Sequence, residues 1–68
     1  MNKFKENLKF LRNQNHLKQK DLANLINVSE DSIYNWEKGR GEPSIDDLIN
    51  LATVLDVTID YLVGKDDI

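Results

Sequence analysis

The sequence predicts an all-α protein, a compact domain of five short helices. Apolar side chains recur at the three- and four-residue spacing of amphipathic helices in several successive segments. Ser, Thr, Asn and Gly residues stand between these segments, at the positions where helices begin and end. The chain has 68 residues, of which 40% are hydrophobic, and this content suits a small helical core.

The first helix is predicted over residues 2–13. Phe4, Leu8 and Leu11 form one apolar stripe at helical spacing. Phe10 lies away from that stripe, so we expect a half-exposed aromatic side chain there. The stripe therefore gives this helix a single face for the core.

The second helix is predicted over residues 19–26 and buries Leu22, Ala23 and Ile26. The small side chain of Ala23 permits another helix to approach closely. Lys18 precedes the helix at the N-cap position, where a lysine caps poorly. The helix start is therefore weakly capped, although a cation stands beside it.

The third helix is predicted over residues 30–38, with Ser29 as its N-cap. It buries Ile33 and Trp36 and ends at Gly39. Only three residues separate it from the second helix, so the chain must turn sharply between the two. This spacing predicts a helix-turn-helix arrangement.

Two further helices complete the predicted fold. The fourth covers residues 45–55 and is capped by Ser44. The fifth covers residues 59–63 and is capped by Thr58. Each cap is a hydroxyl side chain directly before an apolar segment, which is a typical signal for a helix start.

The whole chain, residues 1–68, is expected to form one domain, with its core at residues 8–64 and a frayed tail at 65–68. Cysteine is absent, which excludes disulfides and thiolate metal sites. No apolar run approaches the roughly 20 residues that a membrane span needs. The N-terminus lacks the apolar region of a signal peptide. We therefore expect a cytoplasmic protein.

The charges are unevenly distributed along the chain. The net charge is -3, but residues 1–40 carry eight basic and five acidic side chains, whereas residues 41–68 carry one basic and seven acidic ones. One interpretation is a basic face for a polyanion and an acidic part kept away from it. A chance imbalance, common in small domains, explains the charges equally well.

The available side chains argue against an enzyme. His16 is the only histidine, cysteine is absent and the three glycines are separated. No nucleophile–base pair or phosphate-binding loop can be assembled from them. The acidic pairs at 46–47 and 66–67 have no ligand loop around them. We expect no catalytic activity, no metal and no cofactor, with His16 an exposed loop residue.

One set of residues over positions 8–64 fits a known family through its joint spacing. These residues are Leu11, Arg12, Gln19, Leu22, Ala23, Asn27, Val28, Ser29, Ile33, Trp36, Glu37, Gly39, Pro43, Ser44, Leu51, Ala52, Leu55, Val57 and Leu62. With them the chain resembles the lambda-repressor-like, Cro/CI-type helix-turn-helix regulators. The resemblance implies a five-helix lambda-repressor-like fold and a sequence-specific transcription regulator, a repressor. It also implies a homodimer on an inverted-repeat operator in double-stranded DNA, and hence association with the nucleoid.

The same resemblance implies a DNA-binding surface, with the third helix in the major groove. Gln19 at the start of the second helix would reach a phosphate, and basic residues after the third helix would do the same. Outward positions of the third helix would face base edges or nearby backbone. The residues expected at this surface are Lys18, Gln19, Ser29, Glu30, Asp31, Ser32, Tyr34, Asn35, Lys38 and Arg40.

Two further roles follow from the resemblance. Arg12 and Glu37 match a family salt bridge that ties the first helix to the third, so both are interpreted as structural. The dimer interface would involve the end of the fourth helix, the following turn and the fifth helix. Its exposed candidates are Asp56, Thr58, Ile59 and Tyr61.

Individual side chains of the third helix keep more than one interpretation. Asn35 could pair with adenine through its amide, or it could be a solvated polar residue. Tyr34 could touch a phosphate or a thymine methyl, or it could be a plain surface tyrosine. Trp36 fits the core better than a DNA contact. The outward position of Asn35, opposite the buried side of the helix, favours base readout.

Glu30 and Asp31 stand where many relatives carry neutral or basic residues. They complement the positive end of the helix dipole just after the Ser29 cap. They could also accept hydrogen bonds from cytosine while being repelled by phosphates. The acids and the negative net charge leave a second function open, a protein-interaction module of the same fold that has lost strong DNA binding.

Overall fold

The structure is a computed structural model that describes residues 3–65, and within this range it contains five helices and no strand. The all-α class and the number of helices predicted from the sequence are confirmed. In chain order the helices are α1 (Phe4–Gln14), α2 (Gln19–Ile26), α3 (Glu30–Glu37), α4 (Ile45–Leu55) and α5 (Ile59–Val63).

Most predicted helix bounds agree with the structure. Those of α2, α4 and α5 are confirmed. Helix α1 begins at Phe4 and ends one residue later than predicted; Lys3, which was predicted to be helical, is its N-cap residue, and residue 2 lies outside the described residues. Helix α3 ends one residue earlier, because Lys38 is already the C-cap residue and Gly39 turns the chain with φ +79°. Residues 66–68 of the predicted tail also lie outside the described range.

Each of the five helices contributes one fully buried side chain to the centre of the core. These five side chains have no exposed surface, and they are Leu8, Leu22, Ile33, Leu51 and Leu62. Burial of aliphatic side chains is the main favourable term in folding. The core therefore depends on all five helices, including α5, which has only five residues.

Several hydrophobic side chains are only partly buried. Leu17, Val28 and Leu48 lie at the edge of the core and pack against it without being enclosed. Leu48 lines an open groove that it shares with Phe4 and Trp36, so one side of it faces solvent. Trp36 belongs to the core, as expected.

The turn between α2 and α3 is sharp, as predicted, and it contains a left-handed residue. Asn27 adopts the left-handed conformation, with φ 60° and ψ 47°. The N–H of Val28 donates to the carbonyl of Ala23 at 3.0 Å, which closes the end of α2. Asp56 repeats this conformation after α4, with φ 58°. Both helix pairs are therefore joined by the same type of tight turn.

The N-terminal part of α1 holds the C-terminal end of α5. The side-chain amide of Asn7 donates to the carbonyls of Tyr61 at 3.0 Å and Leu62 at 3.3 Å. The backbone N–H of Lys3 donates to the carbonyl of Val63 at 3.0 Å. These bonds satisfy carbonyls at the end of a helix, which have no partner within the helix.

We expect Gly64→Ala to destabilise the fold more than Gly41→Ala does. Both glycines have positive φ, +86° and +74°, so both substitutions carry a backbone strain of about 1–2 kcal/mol. A Cβ at Gly64 would also lie 2.9 Å from the Cβ of Lys3, whereas a Cβ at Gly41 would meet nothing within 4 Å. Urea unfolding of both variants measures the difference. Equal losses would mean that the contact with Lys3 relaxes at no cost.

Candidate nucleic-acid interface

Helix α3 has a buried side and a polar side. Ile33 is fully buried and Trp36 is 8% exposed. At 3.6 residues per turn, the opposite side of the helix carries four polar side chains. They are Asp31, Tyr34, Asn35 and Lys38. The structure therefore brings most of the expected base-facing residues together on one surface.

The first turn of α3 is closed by two serines. The Oγ of Ser29 accepts a hydrogen bond from the backbone N–H of Ser32 at 3.1 Å, and the two hydroxyl oxygens are 3.0 Å apart. Ser29 is thus the N-cap, as predicted. Glu30 and Asp31 follow it as exposed residues in the first turn. Within residues 3–65 their carboxylates make no hydrogen bond or ion pair.

Arg12, Glu37 and Gln19 form a buried polar network that joins α1, α2 and α3. The Nε of Arg12 lies 2.6 Å from Oε2 of Glu37, and its Nη2 lies 3.1 Å from Oε1. The Nη1 of Arg12 donates to the carbonyl of Leu17 at 2.7 Å. The two charged side chains are only 10% and 4% exposed. The structural salt bridge expected from the resemblance is therefore present in the structure.

Gln19 is the third member of this network. Its Nε2 donates to Oε1 of Glu37 at 3.1 Å. Gln19 was expected to contact a phosphate, and this bond was not predicted. The two residues are 18 positions apart, so nothing in the local spacing indicates the contact. It fixes the beginning of α2 beside the end of α3.

The N-terminus of α2 lacks a side-chain cap from Lys18, because an ammonium group donates hydrogen bonds and accepts none. The reciprocal bond is present, since Oδ2 of Asp21 accepts from the backbone N–H of Lys18 at 3.0 Å. The weak cap predicted from the sequence is confirmed. The first turn of α2 keeps backbone N–H groups that a bound anion could use.

Tyr34 and Lys38 interact on the exposed side of α3. The ammonium of Lys38 lies 5.5 Å from the centre of the Tyr34 ring, within the range of a cation–π contact. Tyr34 is 43% exposed. This pair was not predicted, although a spacing of four residues in a helix is the signal for it. The contact holds the cation over the outer face of α3.

Charge varies along the surface formed by α2 and α3. Lys18 and Lys20 flank Gln19, which is hydrogen-bonded to Glu37, and Lys38 and Arg40 follow within three residues of Glu37. The four cations therefore lie where the start of α2 meets the end of α3. The two acids, residues 30 and 31, lie at the other end of α3.

The residues expected at a dimer interface differ in exposure. Asp56 and Thr58 are exposed and Ile59 is 37% exposed. Tyr61 is half-buried and packs against the core, so its assignment as an exposed residue was wrong. The reason is that Tyr61 packs against the buried core cluster, and a helix of five residues gives too short an apolar pattern to predict this. The hydroxyl oxygen of Thr58 caps α5 by accepting from the N–H of Tyr61 at 3.0 Å.

Two exposed isoleucines on α4 were not singled out in the sequence. Ile45 is 76% exposed and Ile49 is 47% exposed. They are one helical turn apart and lie on the same side of α4.

His16 is exposed, as expected, and adopts a positive φ of 58° after α1.

Within residues 3–65, no helix is long and apolar enough to cross a membrane. Residues 3–65 also contain no group of three or more His, Cys, Asp or Glu side chains placed to bind a metal ion.

Residues 8–62 match the helix-turn-helix family. This chain belongs to that family. The turn between α2 and α3, the Ser29 cap and the polar face of α3 are the corresponding structural features. The lambda-repressor-like, Cro/CI-type resemblance inferred from the sequence is confirmed.

Curated relatives of this helix-turn-helix protein are transcriptional regulators by name. It is 38% identical over 60 residues to the uncharacterized HTH-type transcriptional regulator YqaE of Bacillus subtilis, covering 88% of this chain and 52% of the relative. It is 35% identical over 65 residues to the HTH-type transcriptional activator BcrR of Enterococcus faecalis, covering 96% and 32%. The chain therefore spans about half of YqaE and about a third of BcrR.

A solved structure shows the same arrangement of helices. The P22 c2 repressor, crystallised with a synthetic operator, superimposes with a TM-score of 0.88 at 28% sequence identity. The match covers 93% of this helix-turn-helix protein and 96% of that chain. The five-helix lambda-repressor-like fold is thus shared over almost the full length of both.

Proposed function

We propose that this protein is a sequence-specific DNA-binding transcription regulator that places α3 in the major groove. The observation that carries the proposal is the polar face of α3, opposite Ile33 and Trp36, with four cations at its C-terminal end. A major groove admits one α-helix, whose N-terminal residues contact base edges. The cations would then lie along the phosphate backbone, where they add affinity for any DNA sequence.

Asn35 is the proposed reader of a base. It lies on the outward side of α3 and is half-buried. Among residues 3–65 its side-chain amide makes no hydrogen bond, so both its donor and its acceptor are free. An Asn amide can pair with N6 and N7 of adenine, which contributes about 1–3 kcal/mol of discrimination.

Phosphate contacts are proposed for Gln19 and for four cations. The first turn of α2 offers backbone N–H groups, and an amide side chain beside them can donate to the same phosphate. Lys38 is held over Tyr34, so its side chain already has few rotamers. It therefore loses less conformational entropy when it binds DNA. The cations in this group are Lys18, Lys20, Lys38 and Arg40.

We also propose that the protein is a repressor and binds an inverted repeat as a homodimer. The P22 c2 repressor, whose crystal contains a synthetic operator, supports the repressor role, whereas BcrR is named an activator. The turn at Asp56 and the exposed residues Thr58 and Ile59 form the proposed contact between protomers. A two-fold dimer would place its two α3 helices on half-sites about one turn of DNA apart.

Selection of bound duplexes from a random DNA pool tests the proposal. We expect an enriched palindrome, with binding that weakens steeply as salt is raised. An enriched sequence without two-fold symmetry would contradict the homodimer and would still support the DNA contact. No retention on DNA at low salt would overturn the proposal and favour a protein-interaction module.

Glu30→Gln and Asp31→Asn are each expected to raise overall DNA affinity and to reduce sequence preference. Both side chains are exposed in the first turn of α3, so each variant removes a charge that repels phosphates. Each also removes a carboxylate that can accept from cytosine N4. The measurement is affinity for a selected duplex and for a mismatched one. If binding is tighter but the preference for the selected duplex is unchanged, these acids do not read bases. Their role is then only the favourable interaction with the helix dipole.

A further inference from the structure

Glu37 has a role beyond the salt bridge. Resting on the proposed function, we infer that Glu37 is a positioning residue for DNA binding. It turns the amide of Gln19 so that one N–H is free to donate to a DNA phosphate.

The carboxylate of Glu37 is almost fully enclosed, and both of its oxygens accept hydrogen bonds. Its side chain is 4% exposed. Oε2 accepts from Nε of Arg12 at 2.6 Å, and Oε1 accepts from Nη2 of Arg12 and from Nε2 of Gln19, each at 3.1 Å. The bidentate contact with Arg12 fixes the plane of the carboxylate. Oε1 is therefore a rigid acceptor for Gln19.

A carboxylate next to an amide determines which end of the amide faces it. An ionised Glu side chain accepts hydrogen bonds and cannot donate them, whereas an amide has an NH₂ donor and a carbonyl acceptor. If the Gln19 carbonyl faced Oε1 of Glu37, two acceptors would repel each other. The NH₂ group must therefore face inward, as the 3.1 Å bond shows.

This orientation leaves one hydrogen of Gln19 Nε2 without a partner among residues 3–65. The two hydrogens of a planar amide point in different directions, so the second points away from Glu37. Gln19 is the first residue of α2 and is partly exposed. A phosphate at this helix start would accept from the second hydrogen and from the backbone N–H groups of the same turn.

Electrostatics alone predicts that neutralising Glu37 strengthens DNA binding, whereas the positioning role predicts that it weakens binding. Glu37→Gln removes a negative charge and leaves Arg12 as an uncompensated cation, so general attraction to DNA should increase. If Glu37 positions Gln19, the same substitution should weaken binding, because a Gln at this position offers both a donor and an acceptor. The sign of the change therefore separates the two explanations.

The test uses affinity for a random-sequence duplex, because a phosphate contact does not depend on sequence. We expect Glu37→Gln to weaken binding about threefold to tenfold, since the Gln19 amide then populates other orientations. Gln19→Met should weaken it about tenfold or more, the usual effect of losing a hydrogen bond to a charged group. In the Gln19→Met background, Glu37→Gln should cause no further loss. Glu6→Gln, an exposed substitution with the same charge change, should bind as well as the wild type or slightly better.

The outcomes distinguish this inference from the proposed function. If the wild type binds no duplex at low salt, both are overturned. If it binds and Glu37→Gln is unchanged or tighter, only the positioning role is overturned. The positioning role is also overturned if the double variant loses affinity by the product of the factors measured for Glu37→Gln and Gln19→Met.

A second measurement uses the wild-type protein and does not depend on a variant that folds. The two side-chain amide protons of ¹⁵N-labelled Gln19 give separate NMR signals. On addition of the duplex we expect one proton to shift while the other keeps its contact with the Glu37 side chain. If neither proton shifts, or if the contact with Glu37 is lost on binding, the inference is wrong.

Discussion

Arg12→Met is expected to destabilise the protein by about 3–5 kcal/mol, the loss typical when one partner of a buried ion pair is removed. Its guanidinium is enclosed with the Glu37 carboxylate, and Met would leave that carboxylate buried without its cation. The carbonyl of Leu17 would also lose its donor. A domain of this size has little stability to spare. Urea unfolding followed by circular dichroism measures the loss.

Two control variants identify the cause of that loss. Arg12→Met combined with Glu37→Leu removes both charges, and we expect it to recover most of the stability, because a well-packed apolar pair often replaces a buried ion pair at little cost. Lys9→Met removes an exposed cation from the same helix and should change stability by less than about 0.5 kcal/mol. A loss below about 1 kcal/mol for Arg12→Met would contradict a structural role for the pair.

Leu62→Ala is expected to cost about 2–5 kcal/mol, the range for truncating a fully buried leucine. Leu62 has no exposed surface and is the one fully buried residue of α5. A helix of five residues is far too short to be stable by itself. Without this anchor, α5 should separate from the core more readily. Hydrogen exchange at the α5 amides and urea unfolding measure the two effects.

Ile59→Ala is the matched control on the same helix. Ile59 is 37% exposed, so its truncation removes less buried surface and should cost clearly less than Leu62→Ala. Equal losses in the two variants would show that α5 is held by its outer side, contrary to the packing described above. If Leu62→Ala leaves the hydrogen-exchange protection of the α5 amides unchanged, that result would contradict the same packing.

The helices themselves were predictable because their signals are local. Apolar spacing identified α2, α4 and α5 with the correct bounds, and hydroxyl caps marked the starts of α4 and α5. The three-residue separation of α2 and α3 indicated a sharp turn, and the structure makes it with Asn27 in the left-handed conformation, φ 60°. A cap or a tight turn involves residues a few positions apart, so the sequence carries its full signal. The same holds for the buried side of α3.

Contacts between distant parts of the chain were harder to predict. The Arg12–Glu37 pair was expected from the family resemblance, and not from its spacing. The bond between Gln19 and Glu37 was missed because it depends on how α2 and α3 are packed. Tyr61 was taken as exposed because a helix of five residues gives too short a pattern to fix its rotation.

The sequence by itself determined the five helices, the sharp turn between α2 and α3, and the polar side of α3 with its two leading acids. Only the tertiary structure decided how these helices meet. It placed the start of α2 beside the end of α3 and enclosed the Glu37 carboxylate between Arg12 and Gln19. The physical reason is that caps and turns are set by neighbouring residues, whereas an ion pair requires two side chains that packing alone brings together.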